Sequence, residues 1–166
     1  MQEIVQVTMA EFKIMKAPGQ IVTLGLGSCI GVCAYDSIVK LGGMLHIMLP
    51  NDAMAIGGVV NPAKFANTGV PLLIKELEAQ GASRFRIEIK IVGGAHMFSA
   101  NGQESVFNIG TRNLEAVEEA CNFLGLKIVA KSVGGNNGRS VSLDLETGNV
   151  YVKTLESGIM NYVLLA

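Results

Sequence analysis

The stretch QIVTLGLGSCIGVCAYDSIVKLGGMLHIML, residues 20–49, decides the fold. Its opening QIVTL (20–24) reads as a strand. Gly25-Leu26-Gly27-Ser28 reads as a sharp corner, because glycine turns the backbone at little steric cost. CIGVCAY (29–35) and GGMLHIML (42–49) read as two buried strands. Asp36-Ser37-Ile38-Val39-Lys40 between them is short enough for a hairpin.

Outward from this core the chain alternates between turns and periodic segments. Residues 50–66 are turn-rich, with Pro50, Pro62 and a Gly-Gly pair. Residues 67–80 carry helical spacing, with Val70, Leu73, Ile74 and Leu77 on one face, and Gly81 as a natural stop. Pro71 is acceptable there only in the first turn. Residues 84–92 (RFRIEIKIV) alternate: Phe85, Ile87, Ile89 and Ile91 point one way, and Arg86, Glu88 and Lys90 the other. That pattern predicts a half-buried strand.

A second helix is predicted over 111–124, with Leu114, Val117, Cys121 and Leu124 on its core face and Gly125 at its end. Residues 126–133, 139–145 and 150–155 read as three more strands. Asn136-Asn137-Gly138 and Thr147-Gly148-Asn149 read as hairpin turns between them. About seven strands and two helices, with few crossover helices, predict an α+β fold. The expected architecture is a single domain with a mostly antiparallel sheet or sandwich and two main flanking helices.

Composition narrows the function classes. The 166 residues suit one domain. Hydrophobic residues make up 49% and charged ones 16%, so a sizeable core can be buried. A net charge of −1 offers no clustered cationic surface for nucleic acid or an anionic membrane. Cys29, Cys33 and Cys121 are an odd set with no C-x-x-C pair, which argues against a disulfide framework. The N-terminus lacks a signal-peptide layout, and no apolar run approaches the ~20 residues that span a bilayer. The expectation is a reduced, cytoplasmic protein with no membrane insertion and no nucleic-acid partner.

Cys29 and His46 are the candidate reactive pair. Cysteine chemistry needs a thiolate, a nearby imidazole and donors for a developing oxyanion. Cys29 follows the glycine corner directly, which makes the backbone amides of Gly27 and Ser28 candidate oxyanion donors. With the hairpin centred between Ser37 and Ile38, Cys29 lies directly opposite His46, roughly 4.5–5.5 Å away at Cβ. A one-residue slip puts the two on opposite faces.

The plainer readings stand beside this one. A cysteine in an apolar strand is a common core residue, and a lone histidine among apolar neighbours is commonly structural. Cys33, inside a strand, and Cys121, on a helix core face, take that reading. A metal site from Cys29, Cys33 and His46 has too few ligands and a poor chelate spacing. Gly25-Leu26-Gly27 lacks the third glycine of a nucleotide fingerprint. His96, the other histidine, is glycine-flanked and reads as a surface-loop residue.

TLGLGSCIGVCAYD (23–36) and GGMLHIMLP (42–50) closely resemble the signature of the CheD family. KFANTGVPLLIKELEAQGA (64–82), KIVGGAHMF (90–98), NIGTRNLEAV (108–117) and VGGNNGRSV (133–141) resemble further family blocks in the same order. The likeness runs over roughly residues 12–155. There are two departures: Asn67 stands near an expected acidic residue, and His96 where a small residue is expected.

The resemblance implies a deamidase that converts glutamine side chains on chemoreceptor cytoplasmic helices to glutamate. The whole chain, 1–166, would form the deamidase domain. The family's catalytic cysteine, histidine and threonine fall on Cys29, His46 and Thr23. The implied chemistry proceeds through a thioester and uses no cofactor and no metal. The implied partner is a CheC-type phosphatase, which inhibits the deamidase and is itself stimulated. Two other readings remain. In one the protein is mainly a binding partner of such a phosphatase, with little catalysis of its own. In the other it is a cysteine hydrolase acting on another amide or on methyl esters.

Overall fold

The computed structural model describes residues 2–57, 61–97 and 108–166. In chain order the strands are β1 (Ile4–Gln6), β2 (Glu11–Lys16), β3 (Gln20–Leu26), β4 (Ile30–Asp36) and β5 (Leu41–Ile47). Helix α1 (Ala66–Ala79), β6 (Glu88–Gly93) and helix α2 (Ile109–Phe123) follow. Next come β7 (Lys127–Val133), β8 (Arg139–Asp144), β9 (Val150–Glu156) and β10 (Ile159–Leu165). Among the described residues the expected α+β fold is present, as two five-stranded sheets and two helices.

One sheet has the order β1-β3-β8-β9-β10 and the other β2-β5-β4-β6-β7. Only β1–β3 and β6–β7 pair in parallel; the other pairings are antiparallel. The second sheet is the middle layer. Ile30, Val32, Ala34, Leu45 and Ile47 pack in one cluster with Val70, Leu73, Leu77, Val117 and Cys121 of the helices. Cys33, Tyr35, Met44 and Val92 pack in another with Ile21, Leu26, Val141, Leu143 and Val152 of the first sheet. A strand covered on both faces reads as a continuous apolar run, which is why β4 and β5 show no alternation.

Gly42 and Gly43 make this double coverage possible. A Cβ at Gly42 would stand 2.6 Å from Leu145 Cδ2, and one at Gly43 2.8 Å from Leu73 Cδ1. Both helices end alike. Gly81 (φ +110°) and Gly125 (φ +70°) adopt the left-handed conformation. The following N–H groups, of Ala82 and Leu126, return to Leu77 and Cys121 C=O at 3.0 and 2.9 Å. This motif satisfies carbonyls that a helix end leaves orphaned.

Several expectations are corrected. The strand predicted over 84–92 begins at Glu88. Phe85, placed on its core face, is 96% exposed. Arg86 turns instead to Asp36 at 2.9 Å. Lys90, assigned to the solvent face, is buried and donates to the Gly148 and Leu165 carbonyls at 2.7 and 2.9 Å. A lysine whose ammonium finds backbone acceptors can occupy an interior face, so alternation here did not mean exposure.

Pro71 lies beyond the first turn of α1, because the helix already starts at Ala66. Asn136-Asn137-Gly138 does not close a hairpin: β7 and β8 belong to different sheets. Strands β1, β2 and β10 are additional to the seven that the sequence predicts. Among the described residues, no helix is long and apolar enough to cross a membrane.

Candidate active site

The β4–β5 hairpin differs from the expected register. Its loop covers residues 37–40, with Lys40 at φ +50°. The ladder pairs Ile30 with Ile47 and Gly31 with His46. Cys29 is therefore not opposite His46; the register is displaced by two residues. A two-residue displacement preserves faces: Cys29 packs against the inter-sheet cluster, and Met44, on the same face of β5 as His46, belongs to it. By register the two would be diagonal neighbours, with Cys29 one residue beyond the end of β4. Such positions lie roughly 7–8 Å apart along the backbone, within reach of an imidazole.

Gly31 lies between them on the same face. A Cβ there would come within 3.1 Å of Leu26 Cδ1 and 3.8 Å of Thr23 Cγ2. The glycine leaves that space free of a side chain beside His46.

Thr23 enters from the other sheet. The β3–β8 ladder holds through Thr23↔Val141 and resumes at Leu26↔Arg139, with a bulge between them. The Thr23 hydroxyl donates to Val7 C=O at 2.8 Å and lies 2.9 Å from His46 Nδ1. A hydroxyl has one proton. With that proton committed to Val7, Thr23 Oγ1 accepts from His46, so Nδ1 carries hydrogen and Nε2 holds the free lone pair. Nε2 is buried and has no hydrogen-bond partner among the described residues.

A carboxylate does not take this orienting place. Glu11 stands opposite His46 in the β2–β5 ladder. Its carboxylate is engaged by the Thr8 N–H at 2.8 Å, the Thr8 hydroxyl at 2.9 Å and Lys13 at 3.0 Å. These bonds hold its pKa down to about 2.

Burial sets the resting protonation of the pair. It raises the Cys29 thiol above its ordinary value, against the opposing pull of the residue's own backbone N–H. It lowers the His46 imidazole below 6.5. Both shifts favour a neutral thiol beside a neutral base. Cys33 and Cys121 are free, buried thiols, each pushed up to about 12, chiefly by burial.

The corner bearing Cys29 is held by residues far along the chain. Gly94 N–H donates to Cys29 C=O and Ala95 N–H to Gly27 C=O, both at 2.9 Å. Gly93 has φ +116°, and a Cβ there would sit 2.3 Å from the Cys29 carbonyl oxygen. Asn113 of α2 is fully buried and donates to Ser28 C=O at 2.9 Å and Met48 C=O at 3.0 Å. Among the described residues, neither the Gly27 nor the Ser28 N–H donates to another backbone carbonyl.

His96 is half-buried; its Nε2 lies 2.8 Å from Thr111 Oγ1. It lines a small cleft with Ser28, Met97 and the start of α2. Sequence reasoning missed Gly93 and Asn113 as supports of this corner. The adjacent glycines of 93–94 were the available signal for the first. A polar residue four positions before Val117, in line with the buried stripe of α2, was the signal for the second.

The arrangement is a half-buried thiol, an oriented imidazole with its lone pair free, and two amides at a glycine corner. A family model described as CheD chemotactic sensory transduction matches residues 48–154, more than half of the chain. Three relatives are each named probable chemoreceptor glutamine deamidase CheD. The one from Syntrophomonas wolfei is 46% identical over 158 residues, covering 95% of this chain and 98% of the relative. The one from Desulforamulus reducens is 44% identical over 153 residues, 92% of each. That from Clostridium botulinum is 42% identical over 154 residues, 93% of this chain and 94% of the relative. Identity of this extent, over nearly the full length of both chains, places the protein in the CheD family.

Proposed function

We propose that this protein is a chemoreceptor glutamine deamidase in which Cys29 is the nucleophile, His46 its base and Thr23 the residue that orients the base. The observation that carries the reading is the Val7–Thr23–His46 chain of hydrogen bonds at 2.8 and 2.9 Å. It presents an unprotonated Nε2 on the face where Cys29 packs.

Burial favours a neutral pair at rest. His46 Nε2 takes the Cys29 Sγ–H proton as sulfur attacks the carboxamide carbon of a substrate glutamine. The carbonyl oxygen becomes an oxyanion, for which the Gly27 and Ser28 amides are the candidate donors. His46 returns its proton to the substrate nitrogen, which leaves as ammonia because an amide anion is too poor a leaving group. Water then adds to the thioester, giving its proton to His46. Collapse releases glutamate, and the thiolate recovers the proton. Thr23 holds the ring through these steps but supplies no charge to an imidazolium, so it is a weaker orienter than a carboxylate.

Each turnover places a carboxylate where a neutral amide stood on a receptor helix. The family assignment and the names of the relatives support receptor cytoplasmic helices as substrate and the cytoplasm as the site of action. The resemblance of the sequence blocks supports a CheC-type phosphatase as partner.

The test is mass-spectrometric detection of glutamine-to-glutamate conversion on a receptor cytoplasmic fragment, with free glutamine and a glutamyl methyl ester run alongside. Cys29→Ala and His46→Ala are expected to abolish turnover with the fold intact by circular dichroism. Turnover retained in either variant overturns the assignment of roles. Preference for the methyl ester redirects the reading to an esterase.

A further inference from the structure

Toward the site the β4–β5 ladder stops at Ile30↔Ile47. The next rung would join Cys29 and Met48, and it is not made. Cys29 C=O is taken by Gly94 N–H at 2.9 Å, and Met48 N–H turns away to Lys64 C=O at 2.8 Å. The hairpin therefore opens at the point where the nucleophile leaves the sheet. Strands that splay at the end of a ladder leave carbonyls without partners, and a buried carbonyl needs one.

A single side chain bridges that opening. Asn113 Nδ2 donates to Ser28 C=O at 2.9 Å and to Met48 C=O at 3.0 Å. Ser28 directly precedes Cys29, and Met48 is two residues beyond His46. An amide nitrogen carries two hydrogens in one plane at a fixed angle. When each serves a different carbonyl, the separation of the two acceptors is set by the amide. Asn113 Oδ1 is buried without a partner among the described residues, so the amide's engagement lies on the donor side.

The helix that carries Asn113 is itself seated on the same corner. A Cβ at Gly110 would stand 2.3 Å from Ala95 O and 2.7 Å from Gly94 O, so the first turn of α2 lies directly on Gly94 and Ala95. Those residues in turn hold the Cys29 and Gly27 carbonyls. Asn113 thus projects from a backbone already registered to Cys29.

We infer that Asn113 is a positioning residue for the Cys29–His46 pair, its amide standing in for the missing rung and setting the distance between the strand ends that carry the two groups. This rests on the Cys29–His46 reading above. It also accounts for the residue type: a carboxylate would repel both carbonyl oxygens, and an apolar side chain would leave both unpaired.

The test uses the full chain with Asn113→Leu, which keeps comparable bulk and good helix propensity, and Asn113→Ala. Three quantities are measured: kcat and KM on the receptor fragment, the pH profile of Cys29 carboxamidomethylation, and the thermal midpoint. A misplacement of about 1 Å costs on the order of 10²-fold in rate. The expected result is a kcat lower by about 10- to 100-fold with KM little changed. The alkylation profile should move toward that of His46→Ala.

A folded Asn113→Leu protein with native kcat and a native alkylation profile overturns the inference, whatever its thermal midpoint, because a purely structural amide would move only stability. If His46→Ala alkylates like the native protein, the Cys29–His46 reading fails and the inference falls with it. If His46→Ala loses reactivity while Asn113→Leu keeps it, only the inference fails.

Discussion

The Thr23 hydroxyl joins the two sheets at His46: it donates to Val7 C=O at 2.8 Å and accepts from His46 Nδ1 at 2.9 Å. Thr23→Val keeps the shape and removes both bonds. The expected result is a kcat lower by about 10- to 100-fold, milder than the ~10⁴-fold loss when a carboxylate triad is forced into the wrong tautomer. Two buried polar groups lose their partner, at a cost of about 1–3 kcal/mol. Thr23→Ser should restore most of the rate. Steady-state kinetics with a denaturant midpoint check this, and a native kcat in Thr23→Val would count against the orienting role.

The depressed pKa of His46 has a signed consequence. In the proposed mechanism the neutral imidazole is the base, so the acid limb of kcat/KM should lie below pH 6.5, the ordinary imidazole value. Stability follows the same direction. The unfolded chain takes up the proton first, so the contribution from burying a neutral ring is full above about pH 6.5. It is lost as pH falls through the folded pKa. A pH–rate profile with its acid limb above 6.5 would contradict the burial argument.

At alkaline pH the inert thiols report on the core. Cys33 and Cys121 are raised from 9.0 to about 12 by burial. A raised acid pKa contributes stability that is present below the unfolded value and lost as pH rises through the folded one. Each thiol should therefore weaken the fold by about 1.4 kcal/mol per pH unit between those values. Tyr35 acts in the same sense and Lys90 opposes it, so the measurement is differential. The slope of unfolding free energy against pH should be shallower in Cys33→Ala than in the native chain. Identical slopes would show that Cys33 is not buried as a neutral thiol.

Gly93→Ala tests the corner itself. The added Cβ would stand 2.3 Å from Cys29 O at a φ of +116°, so backbone must move. The expected cost exceeds about 2 kcal/mol, together with altered Cys29 alkylation. Gly158→Ala is the control: it also has positive φ (+77°), but open space surrounds it. It should cost about 1–2 kcal/mol and leave Cys29 reactivity unchanged. Equal effects of the two substitutions on alkylation would remove Gly93 from the account of the site.

Much of the fold was legible because local rules acted alone. The Val70–Leu73–Ile74–Leu77 stripe, the stops at Gly81 and Gly125, and the turn at Thr147-Gly148-Asn149 all depend on neighbours in the chain. Strand β2 was missed because EFKIMK pairs with β5 at the sheet's edge, and its charges mask the apolar positions. Strand β10 was missed because nearly all of it is exposed, with no buried face to impose a period. RFRIEIKIV departs from the one-wet-face reading of its alternation because Glu88 is exposed while Lys90, on the same face, turns in to the Gly148 and Leu165 carbonyls of the other sheet's strands and turns.

For the site, the residues themselves determined the candidates: a cysteine after a glycine corner, a histidine in the next strand, and parity that puts them on one face. They did not determine the pairing, because Ser37-Ile38-Val39-Lys40 closes as a four-residue loop and moves the register by two. Thr23 entered only through the likeness to a family. Its partner His46 lies 23 residues away, across a gap between sheets that no periodicity encodes, and Val7 lies 16 residues away, beside β3. Asn113 acts on carbonyls 85 and 65 residues away. Side-chain periodicity tells which face of an element is covered; what covers it, and which buried donor meets which carbonyl, is decided only when the layers pack.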